Sequence, residues 1–326
     1  MSRDRIRLDD IAKACGVSRQ TVGFILGERG QLFRPETQAL VRDTAARLGW
    51  RAPGKPLGRT HFIALLQDAN GYRSELNREL LLNLEDAVRA HDWLLVFTTL
   101  SDEHLPRVVD QVLAEGLLLN YHGRIPLELA ASIAEHRIPT VHLNTKLPHN
   151  AVHPDEFDLG ASLTRRLLAD GHRRIAWIRW LPAGADDEWV PAHFSLLDQI
   201  AGFQSVMRDA GLVPRILTCR FQERHTVLLA EYHRVLLSAE AFDALVAPDG
   251  GAKFIALHAA CRELGLTPRL ATIGQEFNEV SVPVLRAIKP WPQVAERAVA
   301  MLTRLIHEGH DQVSEAVPAT LVLDIP

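Results

Sequence analysis

"GVSRQTVGFIL", residues 16–26, is the stretch on which the reading of the fold turns. If a helix starts at Ser18, rotation of about 100° per residue puts Val22, Ile25 and Leu26 on one side with Thr21 beside them. Gln20, Gly23 and Phe24 then face away, with Arg19 at the fringe. An outward Phe beside an Arg-Gln pair asks for a partner. Upstream, Leu8, Ile11, Ala12 and Cys15 recur at helical spacing, and Gly16 breaks the chain because glycine accepts a positive φ. Ser18 caps the second helix, with Val17 and Val22 placed as a hydrophobic staple. Downstream, Pro35 opens a third helix that turns Leu40, Val41, Thr44, Ala45 and Leu48 inward and stops at Gly49. Two helices across a tight glycine turn, with a third behind them, form a helix-turn-helix pattern over residues 1–50.

Residues 51–60, "RAPGKPLGRT", combine two Pro, two Gly and three basic residues, which is linker composition. The charge divides at the same place. Residues 1–60 carry 12 Lys+Arg against 6 Asp+Glu, whereas residues 61–326 carry 24 against 34. The whole-chain charge of −4 hides this split between a basic module and a mildly acidic body. At 326 residues and 47% hydrophobic content, the chain predicts two or three domains, each able to fill a core. Cys15, Cys219 and Cys261 are far apart, odd in number and without CxxC spacing, as expected of a reducing compartment. "MSRDRIRLDD" has no apolar stretch behind it, and no run reaches the roughly 18 apolar residues of a spanning helix. The expectation is a cytoplasmic protein with no membrane partner.

From Phe62 the pattern alternates short apolar runs with amphipathic segments. "FIALL" (62–66), "WLLVF" (93–97), "GLLL" (116–119) and "PTVHL" (139–143) read as strands, with helices near 76–90, 105–114 and 127–135 between them. The pattern restarts with a helix over 159–169 and the strand "RIAWI" (174–178). Helices near 200–210, 227–237 and 254–264 then alternate with strands near 216, 244–247 and 270–273. "VLRAI" (284–288), a helix over 294–308 and the strand "TLVLD" (320–324) close the chain. Such βα repeats predict an α/β body, 61–326, of two doubly wound parallel-sheet subdomains with a crevice at the carboxyl ends of the strands. The first subdomain is expected over about 61–157 and 290–320, and the second over about 158–289 and the chain end.

With those residues in place, the chain resembles the LacI/GalR (lactose repressor) family of transcription regulators. "LDDIAKACGVSRQTVGFILG" is similar to the family's opening helix-turn-helix, and "LLADGHRRIAWI" to its Leu-Gly-His-Arg-Arg-Ile-Ala segment. "ALVAPDGGAKFIALHAACRELGL" resembles the segment that usually carries Asn-Asp, and "TIGQEF" stands where Gly-Phe-Asp-Asp is usual. The resemblance implies a periplasmic-binding-protein-like body behind the helix-turn-helix. It also implies a homodimer on a pseudo-palindromic double-stranded operator, and a small effector, often a sugar or its derivative, that shifts operator affinity.

On the DNA side, the second helix of such a motif lies in the major groove with its first turns against base edges. Arg19 can fork onto guanine and Gln20 can bond adenine at two points, while the amino-terminal N–H groups at Ser18 face a phosphate; Thr21 is a further candidate DNA contact. Gly23 and Phe24 complete the outward face and depart from the family, which has Ser and commonly Arg there. Phe24 has two readings: packing on thymine methyls, or folding back as core. Arg7 and Arg34, with Arg3, Arg5, Arg51, Lys55 and Arg59, are candidate phosphate contacts. Leu57 is either the apolar wedge of a hinge or part of a plain tether, because Pro53, Gly54, Pro56 and Gly58 oppose a helix.

On the effector side, the resemblance places ligand contacts at Tyr72 and Arg73, at Asp249 and at Glu276, with Gln199 where the family often has Arg. Carboxylates suit sugar hydroxyls and aromatic faces suit sugar rings. Trp180 and Trp189 flank a loop that can line the cleft, although buried Trp is more commonly core. "HPDEFD" (153–158) is the one cluster with metal-ligand chemistry, but short acidic turns usually cap helices, so no metal and no cofactor is expected. No GxSxG, HExxH or phosphate-binding glycine loop occurs, and the 15 His are scattered, so the reading is not an enzyme. The alternative is a cytosolic small-ligand-binding protein of the same fold with weak or altered DNA binding.

Overall fold

The computed structural model describes residues 8–26, 30–48, 61–68, 78–100, 114–121, 125–181, 193–220, 225–248, 252–274, 283–319 and 321–325. The chain divides into two units, Met1–Thr60 and His61–Pro326.

The first unit holds α1 (Leu8–Cys15), α2 (Arg19–Leu26), a 3-10 turn (Gly30–Leu32) and α3 (Pro35–Leu48). Ile11, Ala12, Val22, Ile25, Val41 and Ala45 form its core, and Leu8, Cys15, Val17, Leu26, Phe33 and Leu48 pack around it. Gly16 has φ +66°, and the Val17 N–H closes on the Ala12 carbonyl at 3.1 Å, so the glycine makes the sharp turn that brings α2 across α1. Leu40, expected inward, is instead 50% exposed. Val41, Thr44 and Ala45 already use the contact surface that α1 and α2 offer, and so small a domain cannot cover a wider stripe.

The second unit contains two six-stranded sheets. β1 (Phe62–Asp68), β2 (Leu94–Leu100), β3 (Gly116–Asn120), β4 (Thr140–Leu143), β5 (Ala151–Pro154) and a late strand β11 (Glu315–Val317) lie in the order β11-β5-β4-β3-β1-β2, all parallel. In the other sheet the order is β12-β10-β9-β8-β6-β7. Its strands are β6 (Ile175–Leu181), β7 (Arg215–Arg220), β8 (Ala244–Ala247), β9 (Arg269–Ile273), β10 (Val284–Ile288) and β12 (Leu321–Ile325). The order reverses between β1 and β3 and again between β6 and β8, the doubly wound arrangement that opens a crevice at the carboxyl ends of the strands. α4 (Arg78–Arg89) and α5 (Leu127–His136) flank the first sheet. α6 (Glu156–Ala169), α7 (Ser195–Asp209), α8 (His225–Ser238) and α9 (Ala252–Glu263) flank the second, and α10 (Trp291–Glu308) returns to the first sheet's core. The helix expected near 105–114 falls mostly on residues outside the described set.

The chain passes between the sheets three times, at Asp155, at Lys289–Pro290 and between β11 and β12. Each passage leaves from the carboxyl end of a strand. β12 therefore enters the second sheet from the side where its neighbours finish, and it pairs with β10 antiparallel rather than extending a purely parallel sheet. β5 and β11, each a single short run, have too little alternation to read from sequence and exist by pairing with each other.

Candidate functional site

Ser18 builds the start of α2. Its Oγ accepts the Thr21 N–H at 3.0 Å and lies 2.8 Å from Thr21 Oγ1, closing an amino-terminal cap. Val22 and Ile25 are buried, whereas Ser18, Arg19 and Gln20 are exposed on the first turn. Arg19 Nε sits 3.6 Å from Asp9 Oδ1 on α1, both exposed, so this pair orients the guanidinium at little energetic gain. Gly23 does not look out freely: a Cβ there would lie 3.9 Å from the Leu8 side chain, on the flank that meets α1. Phe24 is half-buried, its ring 6.3 Å from that of Phe33, which itself packs on the small core. The partner an outward Phe required is thus found, in part, within the same unit. Arg34 is exposed just before α3, and its carbonyl accepts the Gln38 N–H at 3.0 Å. Arg7 and Leu57 lie outside the described residues.

In the body, buried polar side chains collect at the carboxyl ends of strands: Gln67 on β1, Asn120 on β3, Asn144 after β4, His153 on β5. Asn120 Oδ1 and Asn144 Oδ1 are buried and accept no hydrogen bond among the described residues. Sequence reading passed over both; the signal was an Asn closing each of the apolar runs "LLLN" and "VHLN". Tyr72, Arg73, Asp249, Glu276 and Trp189 lie outside the described residues. Trp180 belongs to the core of the second sheet, edge-on to Tyr232 at 5.4 Å.

Gln199 is 4% exposed, and its Nε2 donates to Glu156 Oε2 at 2.5 Å; Glu156 Oε1 accepts from Lys289 Nζ at 2.7 Å. This arrangement depends on how closely α6 and α7 cross. A Cβ on Gly160 would collide with the Gln199 carbonyl, and one on Gly202 with the Phe157 carbonyl, so only glycine lets the two backbones meet. Lys289 stands at the return passage, 5.6 Å over the Trp291 ring. Two of the three passages between the sheets are thereby tied by one buried ion pair.

The four "HPDEFD" side chains go to separate partners. His153 Nδ1 lies 2.8 Å from the Pro154 carbonyl, Asp155 caps α6 through the Asp158 N–H at 2.9 Å, Glu156 takes the lysine, and Asp158 Oδ2 accepts the Ala319 N–H at 3.3 Å. No group of three or more metal-ligating side chains occurs among the described residues. The "GHRR" turn is likewise structural: Asp243 accepts the Arg173 and Arg174 N–H groups at 3.2 and 3.1 Å, joining the starts of β6 and β8. Burial pushes the Cys219 and Cys261 thiols up to about 12 and about 11, far from thiolate chemistry at neutral pH. Among the described residues, no helix is long and apolar enough to cross a membrane.

No family model matches the chain. The HTH-type transcriptional regulator PtxS of Pseudomonas putida is 27% identical over 229 residues, covering 66% of this chain and 64% of the relative. PtxS of Pseudomonas aeruginosa is 30% identical over 139 residues, 40% of each chain. Among solved structures, the transcriptional regulator CelR–cellobiose complex superposes with TM-score 0.64 at 21% identity, over 98% of this chain and 99% of that one. The Lac repressor dimer bound to operator and the anti-inducer ONPF gives TM-score 0.64 at 16% identity over 99% of both chains. The chain is thus similar in sequence to HTH-type transcriptional regulators, spanning less than two thirds of the first relative's length, and it has the fold of the Lac repressor. Two of the positions singled out in the sequence are committed to partners within the chain. Phe24 leans on Phe33, and Gln199 is committed to Glu156 rather than standing free in the crevice.

Proposed function

We propose that this chain is a sequence-specific DNA-binding transcription regulator of the LacI/GalR type, not an enzyme, acting as a repressor and homodimer on a pseudo-palindromic operator. The observation that carries the reading is the capped first turn of α2, which presents Ser18, Arg19 and Gln20 to solvent while Val22 and Ile25 anchor the helix. Arg19 and Gln20 read bases, and Ser18, Thr21 and Arg34 hold phosphates. Arg7 and Leu57 are further candidate DNA contacts. The exposed part of Phe24 meets a thymine methyl. Selection of full-length protein on a randomised duplex pool tests this. We expect one enriched palindrome, steep weakening with salt, and loss of base preference at one position per half-site in Arg19→Ala, worth about 1–3 kcal/mol. A pool that stays unenriched at low salt overturns the reading; an unchanged base preference in Phe24→Arg removes only the thymine contact.

The effector we infer is a hydroxyl-rich small molecule of the sugar class, held between the sheets. Asn120 Oδ1 and Asn144 Oδ1 support this, because two buried acceptors at strand ends call for O–H or N–H donors. Tyr72, Arg73, Asp249 and Glu276 are assigned to the same crevice, with Gln199 bordering it. A thermal-shift screen of sugars and sugar acids checks the class. The ligand that raises the melting temperature should lose most of its effect in Asn120→Ala.

A further inference from the structure

Asn144 follows β4 and takes a left-handed backbone, φ +52°, which asparagine enters more readily than most residues. Hydrogen bonds from both sheets fix that turn. Within the first sheet, the Asn144 N–H donates to the Val152 carbonyl on β5 at 2.9 Å. Thr145 Oγ1 donates to the Leu143 and Tyr121 carbonyls, each at 3.1 Å, and so joins the turn to the residue after Asn120. The remaining group, the Asn144 carbonyl, is held from the second sheet. His193, just ahead of α7, has Nε2 2.8 Å from it, and a carbonyl oxygen only accepts, so Nε2 carries the hydrogen. The other ring nitrogen, Nδ1, faces Ser195 Oγ at 2.7 Å and accepts the Ser195 N–H at 3.3 Å, so the first turn of α7 sets the ring's orientation. Phe194 seats the same segment, edge-on to His153 of β5 at 5.2 Å.

What these bonds hold in place is the Asn144 amide, whose buried Oδ1 accepts no hydrogen bond among the described residues. A backbone fixed on both sides of an unused acceptor is a preorganised site for a donor. We propose that His193 is a positioning residue of the effector site: from the second sheet it fixes the Asn144 amide of the first, so that recognition of a hydroxyl at Asn144 requires the two sheets to be joined. This rests on the assignment of the crevice to a hydroxyl-rich effector. The sense of the linkage follows. A ligand that uses Asn144 binds the joined form more tightly than the parted one, so effector and closure favour each other. Lys146 Nζ, 2.8 Å from Asp198 Oδ2, ties the same two segments, but its side chain is largely exposed and adds little.

Two substitutions separate the sides of the ring. His193→Gln keeps an N–H donor where Nε2 stood, whereas His193→Asn is too short to reach Asn144 but keeps an acceptor for Ser195. Hydrogen–deuterium exchange on the full chain without ligand reads the difference. The amides of 143–146 should exchange about three- to tenfold faster in His193→Asn than in wild type, with those of 195–200 unchanged and His193→Gln close to wild type. Equal exchange of 143–146 in wild type and His193→Asn overturns the inference, and so does a His193→Gln that matches His193→Asn. Should His193→Asn misfold by circular dichroism, nitrogen NMR of the wild-type ring decides: an Nε2–H tautomer supports the inference and an Nδ1–H tautomer overturns it. D-Glucose and D-gluconate, a neutral and an acidic polyol, serve as probes in calorimetry. Whichever binds wild type should bind His193→Asn about three- to tenfold more weakly and His193→Gln about as well as wild type; equal affinity for His193→Asn overturns the inference. If neither binds wild type, the sugar-class reading fails, while the exchange result still decides on His193.

Discussion

Gly23 in α2 and Gly202 in α7 each occupy the middle of an amphipathic helix, and their surroundings are opposite. At Gly23 an added Cβ would make ordinary contact with Leu8 at 3.9 Å. At Gly202, as at its counterpart Gly160, the same atom would overlap a backbone carbonyl of the neighbouring helix. The head tolerates a glycine that costs helix stability; the body requires one so that α6 and α7 can touch along their backbones. That contact is what brings Gln199 onto Glu156 and so onto Lys289.

The comparison breaks most sharply at the crossing itself. Gly202→Ala should destabilise the body by about 3 kcal/mol or more, at the upper end for overpacking, because backbone cannot swing aside as a side chain can. Urea denaturation measures this, and a loss under about 1 kcal/mol would mean the helices slide apart freely. Lys289→Met leaves the Glu156 carboxylate buried without its cation and should cost a further, separate loss of about 3 kcal/mol, largely recovered in Lys289→Met with Glu156→Gln. In the head, Ser18→Ala removes the cap of α2 and should lower stability of that unit by about 1 kcal/mol. The smallest effect has the opposite sign: Gly23→Ala should stabilise the head by about 0.5–1 kcal/mol, since space exists and only the glycine's conformational freedom is lost. A destabilised Gly23→Ala would show that α1 and α2 are as tightly seated as α6 and α7, and would erase the contrast.

Much of the architecture was legible because periodicity reports burial. The spacing of Val22, Ile25, Val41 and Ala45 marked the head's core, and the apolar runs at 62–66, 116–119 and 244–247 marked central strands buried on both faces. Leu40 misled because a helix's apolar stripe records what can be buried, not how much surface neighbours offer. α6 starts at Glu156, ahead of the expected Leu159, since Asp155 caps it from a crossover whose course depends on both sheets. At the candidate site, Arg19, Gln20 and Ser18 were readable from one helix's geometry. Asn120, Asn144 and His193 were not, because their significance comes from meeting partners, or lacking them, across long stretches of chain.

Local chemistry determined the capped helix-turn-helix and the alternation of strands and helices, because each depends on residues within a turn or two of one another. Tertiary structure alone decided that Phe24 rests on Phe33, that β12 runs backward, that two glycines let α6 and α7 touch, and that a glutamate and a lysine meet at the passages between the sheets. Those outcomes depend on segments as far apart as residues 156 and 289. No spacing in the sequence encodes which of many possible neighbours closes the contact.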